Sequence, residues 1–170
     1  MRGSGFVLVL TVAAGCRVVV PGDGRVVLVE PDEAVDAAYS IELKRSVHFW
    51  DVTGACFRVR EELVDGEPIA ARVPFVADGA RSNAADPQLA WYAEAEGRVH
   101  VPIGELQELD VDHDELTALF AHELGHALGL NHLPQQVALM APHVPALQQL
   151  TDADVREFCT RWTTPICAGP

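Results

Sequence analysis

The chain has 170 residues, enough for one domain with a substantial core, and its 49% hydrophobic and 22% charged residues favour a globular chain over a disordered one. Twenty-five acidic residues against twelve basic ones give a formal net charge of −13 at pH 7. This balance argues against nucleic acid as a partner and against attraction to anionic lipid, because both need clustered lysine and arginine.

The first 15 residues predict an export signal. Arg2 is followed by an apolar stretch at residues 6–14 and by small residues before Cys16, as in a cleavable targeting segment. Residues 13–16 resemble the lipobox of bacterial lipoproteins, in which the cysteine carries lipid and attaches the protein to the membrane. Ordinary cleavage near Ala14 would leave Cys16 a plain thiol, and a third reading is a buried first strand. We expect an exported protein, either a cell-envelope lipoprotein or a secreted or periplasmic one, with a single domain over residues 16–170.

The N-terminal half of this domain alternates strand and helix patterns. Residues 25–30 are rich in valine and predict a strand, and the acids after Pro31 open a helical pattern that should run to about Val47. Further strands are expected at residues 56–60 and 69–77. The helical spacing is carried by Ala34, Ala37, Ala38 and Ile41. Residues 78–87 read as a loop, because they are rich in Gly, Asn and Asp.

The C-terminal half is mainly helical. After a short strand at residues 99–103, Asp112 and Glu115 predict a capping box that starts a helix, and Gly129 predicts its end. Its expected buried face comprises Leu116, Leu119, Phe120, Leu124, Ala127 and Leu128. A last helix should begin at Thr151. Mixed strands and helices followed by helices alone predict an α+β fold.

The segment from His122 to His132 carries the chemistry, and reads His-Glu-Leu-Gly-His-Ala-Leu-Gly-Leu-Asn-His. Residues four apart share a helix face, so His122 and His126 can direct both imidazoles at one metal ion. Gly129 then breaks the helix and lets His132 turn back as the third ligand. Three neutral nitrogens predict one catalytic Zn²⁺ with an open position for water. Glu123, beside the first ligand, is the predicted general base.

This pattern is the signature of the metzincin zinc peptidases. Met140 lies in Ala-Leu-Met-Ala-Pro, which resembles the methionine-containing turn beneath the zinc in the matrixins, the matrix-metalloproteinase branch. Asp154 resembles one of two adjacent acids that brace this turn in the family, and the other is Ala153 here. Trp50 and residues 97–101 resemble the end of the first matrixin helix and the edge strand.

The resemblance implies a metzincin-like domain: a small twisted mixed sheet with an N-terminal helix, an active-site helix and a C-terminal helix. It also implies a zinc-dependent endopeptidase that acts on protein or peptide substrates. The substrate would lie along an edge strand at residues 99–103, and residues 140–146 would wall the pocket after the scissile bond. Matrixins often carry a structural zinc and calcium ions as well, but only His100 has a counterpart among those ligands, so we expect the catalytic ion alone.

Several residues leave alternatives open. The four cysteines allow two disulfides, or one disulfide and a free thiol if Cys16 carries lipid. Cys159 and Cys167 are the nearest pair and could tie the tail to the last helix, unless Cys159 simply lies in the core. His48 and His113 are expected to be surface or structural residues, and His143 is a weaker candidate for the substrate pocket.

Two functions fit the motif. The first is the peptidase, and the second is a non-catalytic, zinc-stabilised surface module that binds peptides or partners. The presence of all four motif residues (His122, Glu123, His126 and His132) favours the peptidase. A monomer is expected.

Overall fold

A computed structural model describes residues 26–53, 55, 57–79, 89–134, 137–143, 149–162 and 167. The predicted export signal at residues 1–15 lies outside these residues, as do Cys16, Cys56 and most of the predicted loop at residues 78–87. Among the described residues, no helix is both long and apolar enough to cross a membrane.

In the described part of the chain, five strands form a single mixed sheet. They are β1 (Val26–Pro31), β2 (Phe57–Val59), β3 (Ile69–Ala77), β4 (Trp91–Ala93) and β5 (Arg98–Val101). Their order across the sheet is β2-β1-β3-β5-β4, and every neighbouring pair is parallel except β4 with β5. The valine run of β1 is buried because this strand is flanked on both sides and covered by helix.

Among the described strands, β4 is the outermost on its side of the sheet, and this corrects one expectation. The strand predicted at residues 99–103 was expected to form the edge, but β5 lies between β3 and β4. The sequence did not reveal β4, because three residues are too few to show an alternating pattern. The predicted strand was also too long: Val101 ends β5, and a short helix begins at Ile103.

Over the residues that the structure describes, four α-helices accompany the sheet: α1 (Glu33–His48), α2 (Ile103–Glu108), α3 (His113–Ala127) and α4 (Asp152–Arg161). The sheet and these helices confirm the predicted α+β fold. Of the apolar residues that suggested α1, only Ala38 packs against the core; Ile41 is 67% exposed, while Val35 and Leu43 are fully buried. Tyr39 has non-helical backbone angles that interrupt α1, so one regular period does not describe the whole helix.

Helix α3 begins and ends where the sequence predicts. Asp112 caps it by accepting a hydrogen bond from the N–H of Asp114, while Glu115 is exposed, so the cap is a single bond and not the expected box. The reciprocal capping box belongs to α4, where Thr151 and Asp154 exchange bonds. At its C-terminal end, α3 stops at Ala127 and the chain passes through Gly129 with φ of +81°.

The core lies where α1 and α3 pack on each other and against the sheet. Phe120 on α3 contacts Phe75 of β3 and Tyr39 of α1 in edge-to-face geometry, with ring centroids 5.6 and 5.9 Å apart. The predicted buried face of α3 is confirmed at Leu116, Phe120, Leu124 and Leu128, with Leu119 and Ala127 half-buried against the same core. This packing fixes α3 beside β4. A disulfide joins Cys159 in α4 to Cys167, the pair that the sequence placed nearest together.

Candidate metal centre

Three histidines converge at the C-terminal end of α3. His122 and His126 lie on one face of the helix, and His132 returns after the bend at Gly129. The Nε2 atom of His132 lies 3.2 Å from Nε2 of His122 and 3.2 Å from Nε2 of His126. One nitrogen from each ring lies within 4.8 Å of the other two. The structure therefore brings together the three residues that the spacing selected.

The backbone determines which nitrogens face the centre. Nδ1 of His122 lies 2.7 Å from the carbonyl oxygen of Leu139, and Nδ1 of His126 lies 2.9 Å from that of Leu130. A carbonyl oxygen only accepts, so both Nδ1 atoms carry the proton and donate it. Each Nε2 is then left with a lone pair directed into the cluster.

This donor set fits a zinc ion. Nitrogens bound to tetrahedral zinc at about 2.0–2.1 Å lie roughly 3.3–3.4 Å apart, close to the 3.2 Å separations between the histidine nitrogens. Without a cation, the two lone pairs of His122 and His126 would meet in a partly desolvated space. Carbonyl partners on the outer nitrogens are also the usual support of zinc-binding imidazoles.

Burial keeps the two helical imidazoles neutral. Desolvation lowers the pKa of His122 from 6.5 to about 4, and it lowers the pKa of His126 as well. The neighbouring imidazoles act in the same direction, whereas the bonds to Leu139 and Leu130 oppose it. At neutral pH neither residue has to lose a proton before it binds metal.

Glu123 lies next to the first histidine and is 5% exposed. Its Oε2 accepts a hydrogen bond of 2.6 Å from the backbone N–H of Tyr92 in β4. Desolvation raises the pKa of Glu123 from 4.5 to about 8, although the bond from Tyr92 acts to lower it. A cation at the three histidines would favour the ionised form. The carboxylate is thus oriented by the edge strand and left with Oε1 for a second partner.

A tight turn lies beneath the histidines. Met140 is fully buried there, and both Leu139 and Met140 donate their N–H groups to Asp154 at 2.9 Å. Asp154 is itself fully buried at the start of α4. The bracing role inferred for Asp154 therefore holds with one acid, and Ala153 adds no second carboxylate. Leu139 completes the link, since its carbonyl orients His122.

The other histidines take separate positions. Nδ1 of His100 lies 2.8 Å from Oδ2 of Asp78, and its ring stacks on Trp91 with centroids 4.9 Å apart. Within the described ranges, the only group of three or more His, Cys, Asp or Glu side chains placed to share an ion is the one at α3. Two more histidines bind surface or structural carboxylates, His48 to Asp51 and His113 to Glu42.

The predicted pocket wall at residues 140–146 is described only up to His143, which is exposed. Three contributors to the centre were not found from the sequence: the N–H of Tyr92 and the carbonyls of Leu130 and Leu139. They are backbone groups, which every residue carries, so no residue pattern marks them.

Comparison with known proteins gives one family. Residues 65–159 match the family model described as Matrixin. No curated protein matches the chain. The matched residues include β3, β4, β5, the three histidines, the turn at Met140 and most of α4.

Proposed function

The chain belongs to the matrixin family, because the match covers more than half of its 170 residues, and we propose that it is a zinc-dependent endopeptidase. Family membership and the three-histidine site together support a zinc metallopeptidase in general. The observation that carries the finer proposal is the setting of Glu123, which directly follows His122 in α3, is buried, and accepts a hydrogen bond from the edge strand.

Substrate binding would use the free side of β4. This strand pairs with β5 on one side and is the last strand of the sheet on the other. An extended peptide can add to such an edge through main-chain hydrogen bonds, whatever its side chains. Because the N–H of Tyr92 binds Glu123, a peptide placed there would run close to the carboxylate. The proposed substrate strand is thus β4 and not the inner strand β5.

A zinc ion held by His122, His126 and His132 would supply Lewis acidity, which polarises a carbonyl and makes water a better nucleophile. Glu123 would remove a proton from the attacking water as the new C–O bond forms. It would then deliver that proton to the amide nitrogen as the C–N bond breaks, so that a carboxylic acid and an amine leave. The bond from Tyr92 fixes one carboxylate oxygen and leaves the other to carry the proton in both steps.

Exchanging Glu123→Gln tests this assignment. Glutamine keeps an oxygen for the Tyr92 N–H but cannot take up the proton, so peptide cleavage should fall by about 10²- to 10⁴-fold while bound zinc stays stoichiometric. A quenched-peptide library and metal analysis of the same samples give both readouts. Undiminished turnover by the variant would remove Glu123 from this role. Stoichiometric zinc without any chelator-sensitive cleavage by the wild-type chain would favour the peptide-binding module.

We further propose that residues 1–15 direct export and that Cys16 becomes the lipid-bearing N-terminus of a cell-envelope protein. The proposal rests on the apolar run at residues 6–14 and on the small residues before the cysteine. Mass spectrometry of the mature protein should find an acylated Cys16 as its first residue. An unmodified N-terminus near residue 15 would indicate ordinary secretion instead. A Cys16→Ser variant should lose the acyl mass.

A further inference from the structure

A cavity of about 190 Å³ adjoins the metal centre on the side of β4. It is lined by Tyr92, Glu94, His126, Gly129, Leu130 and Asn131. His126 belongs to both the cavity and the metal centre, so an occupant would lie next to the reacting bond. Pockets for drug-sized ligands start at about 300 Å³, and this volume therefore suits a single side chain of a longer molecule.

The cavity carries one negatively charged side chain, the carboxylate of Glu94, beside the neutral polar groups of Tyr92 and Asn131. Glu94 is exposed, and within the described part of the chain no basic side chain pairs with it. Glu96, two residues further along, lies instead 3.5 Å from Arg98 and 3.4 Å from His100. The exposed amide of Asn131 adds a neutral acceptor.

The cavity also has apolar lining. Leu130 is buried at 2% exposure, and the ring of Tyr92 is half-buried on β4. Burial raises the pKa of the Tyr92 hydroxyl, and the negative charge of Glu94 raises it further. The phenol and the carboxylate therefore lie close enough to interact electrostatically. A lysine or arginine side chain combines an apolar stem with a cationic end, which matches a cavity that has both apolar lining and a carboxylate.

We propose that this cavity receives a lysine or arginine side chain of the substrate at one fixed position near the scissile bond, and that Glu94 selects it. The inference rests on the proposed peptidase function and adds a substrate class to it. This substrate position differs from the one after the scissile bond, which would face the turn at Met140. No described residue of that turn lines the cavity. The strongly acidic chain, at net charge −13, would also attract basic peptides in general.

The test compares matched peptides that carry lysine, norleucine or glutamate at the position which library profiling identifies. The wild-type chain should cleave the lysine peptide with a kcat/KM about three- to fivefold above that of norleucine, as an exposed charge pair allows. Glu94→Gln should bring this ratio close to one, and Glu94→Lys should favour glutamate. Glu96→Gln removes the same charge outside the cavity and should keep the wild-type ratio. The lysine preference should shrink as salt is added.

The outcomes separate this inference from the function it rests on. Cleavage without a basic preference at any fixed position, or a preference that survives Glu94→Gln, overturns the inference and leaves the peptidase intact. Absence of cleavage counts first against the peptidase. Calorimetric titration of the same peptides into the zinc-loaded Glu123→Gln variant needs no turnover: the lysine peptide should bind at least about threefold tighter than the norleucine peptide. Equal affinities there overturn the inference as well.

Discussion

Gly125 lies in the last turn of α3, where no side chain fits. A Cβ placed on it would overlap the sulfur of Met140 and lie 2.8 Å from the ring of Trp50. Trp50 cannot easily yield, because it is fully buried and its Nε1 donates to the carbonyl of Ala121 at 3.0 Å. The glycine thus lets the turn at Met140 pack directly beneath the helix that carries His122 and His126.

We expect Gly125→Ala to destabilise the protein by about 1–3 kcal/mol, the usual cost of an overpacked core. Zinc affinity should fall with it, since the displaced methionine turn also orients His122. Denaturant unfolding and zinc titration measure the two effects. Gly104→Ala is the matched control: Gly104 is a helical glycine with nothing within 4 Å of an added Cβ, so stability should rise by up to about 1 kcal/mol. Equal effects of the two changes would contradict this packing argument.

Glu123 makes the stability of the zinc-free protein depend on pH. Its folded pKa of about 8 lies above its ordinary 4.5, so burial of the neutral acid is tolerated and burial of the charge is not. The favourable contribution of Glu123 to the free energy of unfolding is fully present below pH 4.5. It falls by a few kcal/mol at most as the pH rises towards 8. Glu123→Gln should therefore gain stability over the wild type as the pH rises through this window. Unfolding curves measured with chelator at several pH values test it, with exposed Glu108→Gln as control, and parallel pH profiles would refute it.

At the scale of elements, the centre is a junction of α3, the turn at Met140 and α4. The turn is fastened to α4 through the two N–H bonds to Asp154, and to α3 through the bond between Leu139 and His122. Leu133, just after the third histidine, also donates its N–H to the carbonyl of Met140 at 2.7 Å. Through this turn, α4 therefore supports His122 and the segment after His132, although it contains none of the ligands.

Replacing Asp154→Ala should cost about 3–5 kcal/mol, because two buried N–H groups lose their acceptor and α4 loses its capping box. Zinc should bind about 10- to 100-fold more weakly, as for other groups that support metal ligands. If the alanine variant does not fold, Asp154→Asn serves instead. It retains one acceptor oxygen and should lose less stability and less zinc affinity. Asp152→Ala removes an exposed acid from the same helical turn. It should leave zinc affinity unchanged, and equal weakening by the two variants would show that Asp154 has no special role.

At the scale of the whole molecule, zinc would link α3 to the segment that follows it and so stabilise the folded state only. With free zinc at a thousand times its dissociation constant, the gain is about 4 kcal/mol. Chelation should therefore lower the melting temperature of the wild type. His132→Ala should abolish this response, while His143→Ala, outside the cluster, should preserve it. A wild-type melting temperature that is the same with and without chelator would contradict the zinc centre.

The sequence alone determined what depends on local chemistry. The histidine spacing at residues 122–132, the bend at Gly129 and the helix caps at Asp112 and Thr151 each depend on a few neighbouring residues, so a linear pattern reveals them. The α+β class and the buried face of α3 followed from the same local periodicity.

Only the tertiary structure decided which strand is the edge, which face of α1 is buried and which backbone groups hold the site. A three-residue strand such as β4 is too short to show a periodic pattern, and it is defined by its pairing with β5. The partners of Glu123 and His122 are an N–H and a carbonyl that every residue carries, and they lie 31 and 17 positions away in the chain. Only the packing of the helices against the sheet brings such distant, chemically ordinary groups into contact.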